Sequence, residues 1–332
     1  MPTAVVFNDT RIHGHFGCDR VMNVLDGELQ RRGVQIIGSS PVRHIWWEDA
    51  ALLKKIAVAD ILVINGEGTL HHGGRQGEML MRLANHPARS GKPVYLINAI
   101  YQENPAEWGE GLKTFAGIWA RDSRSAAVMA QATGRDIGYF GDLTLCQGFI
   151  TTEGARQGVV FGDSVKTKVS QRLARLSRKT AGSALVPIVR DLKSVRDRTG
   201  ISAILRRADN RITEAFWRMR YPGFALLPDE AAYGQVLSRA SLHVTGRFHG
   251  ACFSIATQTP FVTMTSNSWK IEALLEDCGL SKDRIVTIDQ IEPALLTRDW
   301  SFTEAEVAAM RAYVDRSVIA AGRAFDTIAA LI

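Results

Sequence analysis

Short apolar runs alternate with segments whose apolar residues recur every three or four positions. The runs Ala4–Asn8, Val34–Gly38, Asp60–Ile64, Pro93–Asn98, Gly117–Ala120 and Ile137–Phe140 predict strands. Between them the spacing predicts helices over Asp19–Arg31, Glu48–Val58, Gly77–Asn85, Ala106–Lys113 and Asp122–Thr133. Asp122-Ser-Arg-Ser is a sound start for the last of these, because a short acceptor side chain satisfies the first free N–H groups. Strands and helices in strict alternation imply a parallel sheet covered on both faces.

A second alternating set begins near Gly158. Its strands are Val159–Gly162, Ala184–Val189, Ala225–Leu227, Leu242–Thr245, Phe261–Met264 and Ile285–Ile288. Its helices are Lys168–Lys179, Asp229–Ala240, Phe248–Thr257 and Trp269–Cys278. The polar, glycine-containing stretch Cys146–Gln157 between the sets reads as a linker. A final helix over 303–331 is long enough to pack back on the first domain. The expectation is an α/β protein with two Rossmann-like domains, 1–150 and 158–300, facing a cleft; domain interfaces are common ligand sites. No repeat of short fixed period is present.

The length of 332 residues agrees with two domains. No apolar run is long enough to span a bilayer. The chain opens on a strand without a signal-peptide layout. Cys18, Cys146, Cys252 and Cys278 are widely spaced and form no metal-ligand pattern, which suggests reduced thiols in a cytoplasmic protein. The net charge of +6 is uneven. Between Lys166 and Arg220 fifteen Lys and Arg face four Asp and Glu, an excess of eleven. Such a block suits an acidic glycan, an anionic lipid surface or nucleic acid, or is a solvated helix surface. No nucleic-acid motif accompanies it. Within it, Ile201, Ile204, Leu205, Ala208, Ile212, Ala215, Phe216 and Met219 keep a helical rhythm among Arg206, Arg207, Arg211, Arg218 and Arg220. This pattern fits either a helix packed on its own domain or one lying on an anionic membrane, here the inner face of the cytoplasmic membrane.

The most informative segment is Ser241–Thr265, which reads strand, turn, helix, strand. Its turn carries Gly246, Arg247, His249 and Gly250 between a strand's carboxyl end and a helix's amino end. Free N–H groups and the helix dipole collect anions there. Arginine adds a planar fork for phosphate or carboxylate, and histidine a proton mobile near neutral pH. Lys270 opens the next helix, where a cation opposes the dipole unless an anion is near. Asn65-Gly66-Glu67-Gly68-Thr69-Leu70-His71-His72 follows a strand. Glu67 is a candidate base there, and His71 and His72 candidate contacts for a sugar or anion. In the loop Asn8–Asp19, Asp19 is either a helix cap or a carboxylate that accepts a sugar proton. His13 and His15 stand nearby, but the spacing matches no zinc site. Arg121 and Arg190 end strands, each either facing the cleft or in a surface ion pair.

These residues together resemble the polysaccharide pyruvyl transferases. The resemblance runs through Gly17-Cys18-Asp19, Gly66-Glu67-Gly68-Thr69, Ala120-Arg121-Asp122-Ser123-Arg124-Ser125 and Gly141-Asp142. It is most specific at Thr245-Gly246-Arg247-Phe248-His249-Gly250, followed by Thr259-Pro260 and Lys270. The first element lacks the family's usual Asn, Glu67 replaces a more common glycine, and Gly246 stands where serine is frequent. The resemblance implies a fold similar to glycosyltransferase B. It implies phosphoenolpyruvate as donor, a sugar diol of a polysaccharide or lipid-linked precursor as acceptor, and a cyclic pyruvate ketal as product. No cofactor or metal is required. On this reading Arg247, His249, Lys270, Arg121, Arg190, Gly246 and Gly250 serve the donor, and Gly66, Gly68, Thr69, His71 and His72 the acceptor. His249 and either Asp19 or Glu67 move protons. The competing expectations are a nucleotide-sugar glycosyltransferase of the same fold and a non-catalytic scaffold of polysaccharide assembly.

Overall fold

The computed structural model describes residues 1–151, 154–193, 195 and 198–330. Thr152 and Glu153 of the expected linker, Arg196 and Asp197 of the basic block, and Leu331 of the final helix lie outside the described residues. The chain divides into two compact units. The first comprises Met1–Thr10, Val21–Gln147 and Asp315–Ile332; the second comprises Arg11–Arg20 and Gly148–Val314.

The first unit is built on a parallel sheet of β1 (Thr3–Asp9), β2 (Gln35–Pro41), β3 (Ile61–Asn65), β4 (Val94–Ala99), β5 (Gly117–Ala120) and β6 (Gly138–Tyr139). The order is β2-β1-β3-β4-β5-β6, with Ala4 opposite Ile61 and Phe7 opposite Ile64. Both faces are apolar, as parallel strands require. Val5, Phe7, Leu62, Ile64, Val94 and Leu96 enter one core. Ala4, Val6, Ile61, Val63, Tyr95 and Ile97 enter the other. The helices are α1 (Phe16–Arg31) from Val21 on, α2 (Ala50–Val58), α3 (Arg75–Met81), α4 (Ala106–Lys113), α5 (Ser123–Thr133) and the later half of α12 (Glu304–Ala330). Asp49 caps α2 by accepting from Ala51 and Leu52, and Asp122 caps α5 by accepting from Ser125. Ala321, Ala324, Phe325 and Ile328 of α12 pack into the second of the two cores.

The second unit carries a four-stranded parallel sheet: β7 (Val159–Ser164), β8 (Ala184–Leu185), β9 (Leu242–Gly246) and β10 (Phe261–Thr263), in the order β10-β9-β7-β8. Its helices are α6 (Thr167–Lys179), α7 (Gly200–Arg220), α8 (Glu230–Ser238), α9 (Phe248–Ala256), α10 (Lys270–Asp277) and α11 (Pro293–Thr297). The strand expected at Ile285–Ile288 reduces to an isolated bridge of Ile285 with Thr263, and in place of that expected at Ala225–Leu227 there is only a bridge at the preceding residue, Phe224 with Leu185. The stretch expected to be a linker is instead tied into this unit. Ile150 N–H donates to Ala256 O, and the Arg156 guanidinium donates to Ser238 O, Thr257 O and Thr259 Oγ1.

Residues 11–20, expected in the first domain, belong to this second unit. The cause is Phe16, fully buried among Val160, Val186, Ile188, Tyr233 and Phe253. The backbone follows it: Phe16 N–H donates to Ile188 O, Arg190 N–H to Gly14 O, and His15 bridges Val189 antiparallel.

His243, on β9, is fully buried with Nδ1 at 2.7 Å from Ser254 Oγ. Burial pushes its pKa down to about 3. The folded value lies below the ordinary one near 6.5, so the stability from keeping this ring neutral is complete above pH 6.5 and is lost as pH falls toward 3. Between pH 6.5 and 5 the loss is about 2 kcal/mol. The buried His15 acts in the same direction. His243→Asn is therefore expected to flatten the fall in melting temperature between pH 7 and 5. Identical slopes for the two proteins would count against this.

Candidate active site

In the second unit the chain leaves β7 for β8 on one side and later returns to β9 on the other. The carboxyl ends of β7 and β9 therefore flank the point where open α/β sheets bind ligands. Asp163 and Ser164 end β7, and Gly246 and Arg247 lead from β9 into α9. Arg247 is fixed there by Asp163 Oδ2, 2.6 Å from Nη2 and 2.7 Å from Nε. Asp163 Oδ1 in turn accepts from Ile188 N–H. A cavity of about 340 Å³ opens beside the pair, with Ser164, Thr167 and Ser170 at its polar side and Trp217 and Phe224 at its apolar side. Sequence reasoning missed Asp163, although its place one residue beyond an expected strand was a usable signal.

His249 follows in the first turn of α9 and is buried. The His15 ring stands edge-on to it at 5.2 Å. Gly17 closes over it: a Cβ at that position would lie 2.2 Å from His249 Cγ. A glycine here is thus a requirement of close approach. His15 Nδ1 accepts from Gly17 N–H. Burial first, then the positive fields of His249, Arg247, His13 and Lys270, holds the His15 pKa well below 6.5. Lys270 opens α10 and donates to Asn267 Oδ1. Gly246 has its own reason, since a Cβ would meet Ser164 Cβ at 2.6 Å. A serine at this position would collide with Ser164. Gly250 packs likewise on Thr245.

Asp19 does not cap α1, which starts three residues earlier at Phe16. Its Oδ2 lies 3.2 Å from Arg190 Nη2, within the second unit. The expected place of Asp19 in the first domain is corrected accordingly: it pairs with Arg190 inside the unit that carries Arg247 and His249.

In the first unit the corresponding switch point lies between β1 and β3. Glu67 sits there, buried, with Oε2 accepting from Thr10 Oγ1 at 2.7 Å. Asn65 Oδ1 accepts from Glu67 N–H, and Asn8 Nδ2 donates to Asn65 O. Asn8 is buried in the left-handed region at φ 64°, a strained conformation that clusters at functional sites. Gly66 packs on Ala99, Gly68 has φ 66° and Thr69 is buried. His71 and His72 stack edge-on, and His72 Nδ1 meets Glu103 Oε2 at 2.9 Å. Arg121 also belongs to this unit, 3.5 Å from Asp142, with side-chain exposures of 1% and 0%. This is not the surface ion pair expected as its alternative; its charge is held inside the unit by Asp142.

Among the described residues, His15, Cys18 and His249 place ligand atoms within 4.8 Å of one another, close enough for a metal. His15 Nδ1 accepts from Gly17 N–H, and Arg247 and Lys270 bring positive charge close to the cluster.

The two parallel-sheet units define an α/β protein of glycosyltransferase B type. Solved structures agree on the fold. A calicheamicin glycosyltransferase is 14% identical with a TM-score of 0.54, covering 99% of this chain and 98% of that one. The glycotransferase of kitacinnamycin is 11% identical with a TM-score of 0.52 and covers 99% and 98%. UDP-GlcNAc 2-epimerase from Neisseria meningitidis, solved with UDP-GlcNAc, is 10% identical with a TM-score of 0.50 and covers 96% and 100%. No curated protein matches the chain significantly. Residues 16–268 match the polysaccharide pyruvyl transferase family, and the chain belongs to that family. No described helix is long and apolar enough to cross a membrane.

Proposed function

We propose that this protein transfers the pyruvyl group of phosphoenolpyruvate to two hydroxyls of a sugar, on a polysaccharide or its lipid-linked precursor, and forms a cyclic ketal. The observation that carries the reading is Arg247, fixed by Asp163 at the sheet's switch point beside the buried His249. The donor holds a carboxylate and a phosphate close together. Arg247, Lys270 and the N–H groups opening α9 are of the kind that bind such a pair.

The donor's methylene carbon gains a proton, which makes C2 oxocarbenium-like. One sugar hydroxyl attacks C2 and loses its proton. The C2–O bond to phosphate breaks, and the second hydroxyl closes the ketal at C2 as phosphate carries away the other proton. His249 gives the proton to the methylene carbon or holds the phosphate. Of the two candidate bases for the acceptor's proton, Glu67 is held by Thr10 and Asn65, and Asp19 by Arg190. No step calls on a metal.

Mass spectrometry of acceptor oligosaccharides incubated with protein and phosphoenolpyruvate tests the reaction. A gain of one pyruvate less one water supports it. Transfer of a hexose from a nucleotide sugar in parallel incubations, with no pyruvyl product, would replace it with glycosyl transfer. Glu67→Gln is expected to lower kcat about 10²-fold with the donor KM unchanged, the lower range for a general base. Undiminished kcat would remove Glu67 from the scheme.

A further inference from the structure

The helix α7 turns its most apolar face to solvent. Its inner side is held by Asn210, which exchanges hydrogen bonds with the Lys193 backbone, and by Trp217, stacked on Tyr221 and packed on Phe224. Each residue turns the helix by about 100°, so Ile201, Ile204, Leu205, Ala208, Ile212, Ala215, Phe216 and Met219 share one stripe about 120° wide, opposite that anchored side. All eight are exposed, and the six large ones range from 54% at Phe216 to 77% at Met219. Scattered exposed apolar residues need no explanation, but a contiguous stripe of this size marks an interaction surface.

Charge selects the occupant. Arg207, Arg211 and Arg218 border the stripe on one side, and Arg206 and Arg220 on the other. The helix has only two acids, Asp209 and Glu214, engaged by Lys193 and Arg218. A second copy of this helix laid on the stripe would bring arginine rows against arginine rows, which like-charge repulsion opposes. An anionic bilayer surface meets both rows at once and receives the apolar side chains between them. The helix spans about 30 Å, the layout of a helix lying in the interfacial plane. We propose that α7 is a membrane-docking helix that binds anionic lipid surfaces. This goes beyond the pyruvyl-transfer reading and is independent of it.

The test is co-sedimentation of the full chain with vesicles of phosphatidylcholine alone and of phosphatidylcholine mixed equally with phosphatidylglycerol, at low and high salt. Binding is expected to the mixed vesicles only and to weaken with salt. Ile212→Glu/Phe216→Glu should lose binding at least tenfold while keeping the wild-type melting temperature. Should that variant fail to fold, Arg207→Gln/Arg211→Gln serves instead, with about fivefold weaker binding per arginine removed. Negligible binding to both vesicles at low salt overturns the proposal. So does equal binding to both, or a concentration-dependent dimer that the apolar substitutions abolish in a chain that ignores vesicles.

Discussion

Replacing Arg247 by alanine is expected to lower kcat/KM for phosphoenolpyruvate by about 10²–10³, the usual cost of removing one fixed donor from a charge that develops in the transition state. The expectation rests on how the side chain is held. Asp163 Oδ2 takes both Nε and Nη2, so the plane of the fork is set and the rest of the guanidinium is presented in one orientation. A lysine there would carry the charge without the plane, so Arg247→Lys should recover little of the loss. Asp163→Asn keeps the size of the partner and weakens the pairing. It should fall between wild type and Arg247→Ala. Phosphate release under steady-state conditions reads the activity, and a circular-dichroism melt separates it from damage to the fold. Near-normal turnover by Arg247→Ala would show that the donor binds elsewhere.

The central strands were legible because parallel strands buried on both faces leave long apolar runs: the runs at Asp60–Ile64 and Pro93–Asn98 became β3 and β4 nearly unchanged. Edges were less legible. Ile137–Phe140 narrows to the two residues of β6, and Ile285–Ile288 to a single bridge, since an edge run gains pairing on one side only. The turn with Arg247 and His249 could be found because its chemistry and its place after a strand are both local. What closes on it was not. Asp163 is 84 residues away, and the segment with His15 and Gly17 is assigned to its unit by the burial of Phe16, which reads in sequence like any apolar residue at a helix start. In α7 the rhythm was legible but not its direction. Period shows that a helix has an apolar stripe; only Asn210 and Trp217 show that the stripe faces away from the core.

The substitutions Gly17→Ala and His249→Gln, taken together, test the site most severely. His249→Gln keeps a polar side chain of similar reach and removes the mobile proton, so activity should fall by about 10²–10⁴ if His249 works as an acid or base. Gly17→Ala touches no charge and alters no group in the proposed chemistry. Inside the first turn of α1, alanine is if anything the better helix former, by roughly 1 kcal/mol. Yet its Cβ would stand 2.2 Å from His249 Cγ, 2.3 Å from His249 Cβ and 2.5 Å from Nδ1, so the imidazole and the backbone that carries it must move. A displacement of about 1 Å at a reacting group costs on the order of 10²-fold. Gly17→Ala should therefore lose about that much rate and also about 1–3 kcal/mol of stability, the usual cost of overpacking a filled site. The double variant is decisive. If Gly17 matters only through the position of His249, adding Gly17→Ala to His249→Gln costs nothing further, and the two effects are far from additive. Fully additive losses would mean that Gly17 supports the site by another route and that the packing of α1 on the imidazole is structural alone.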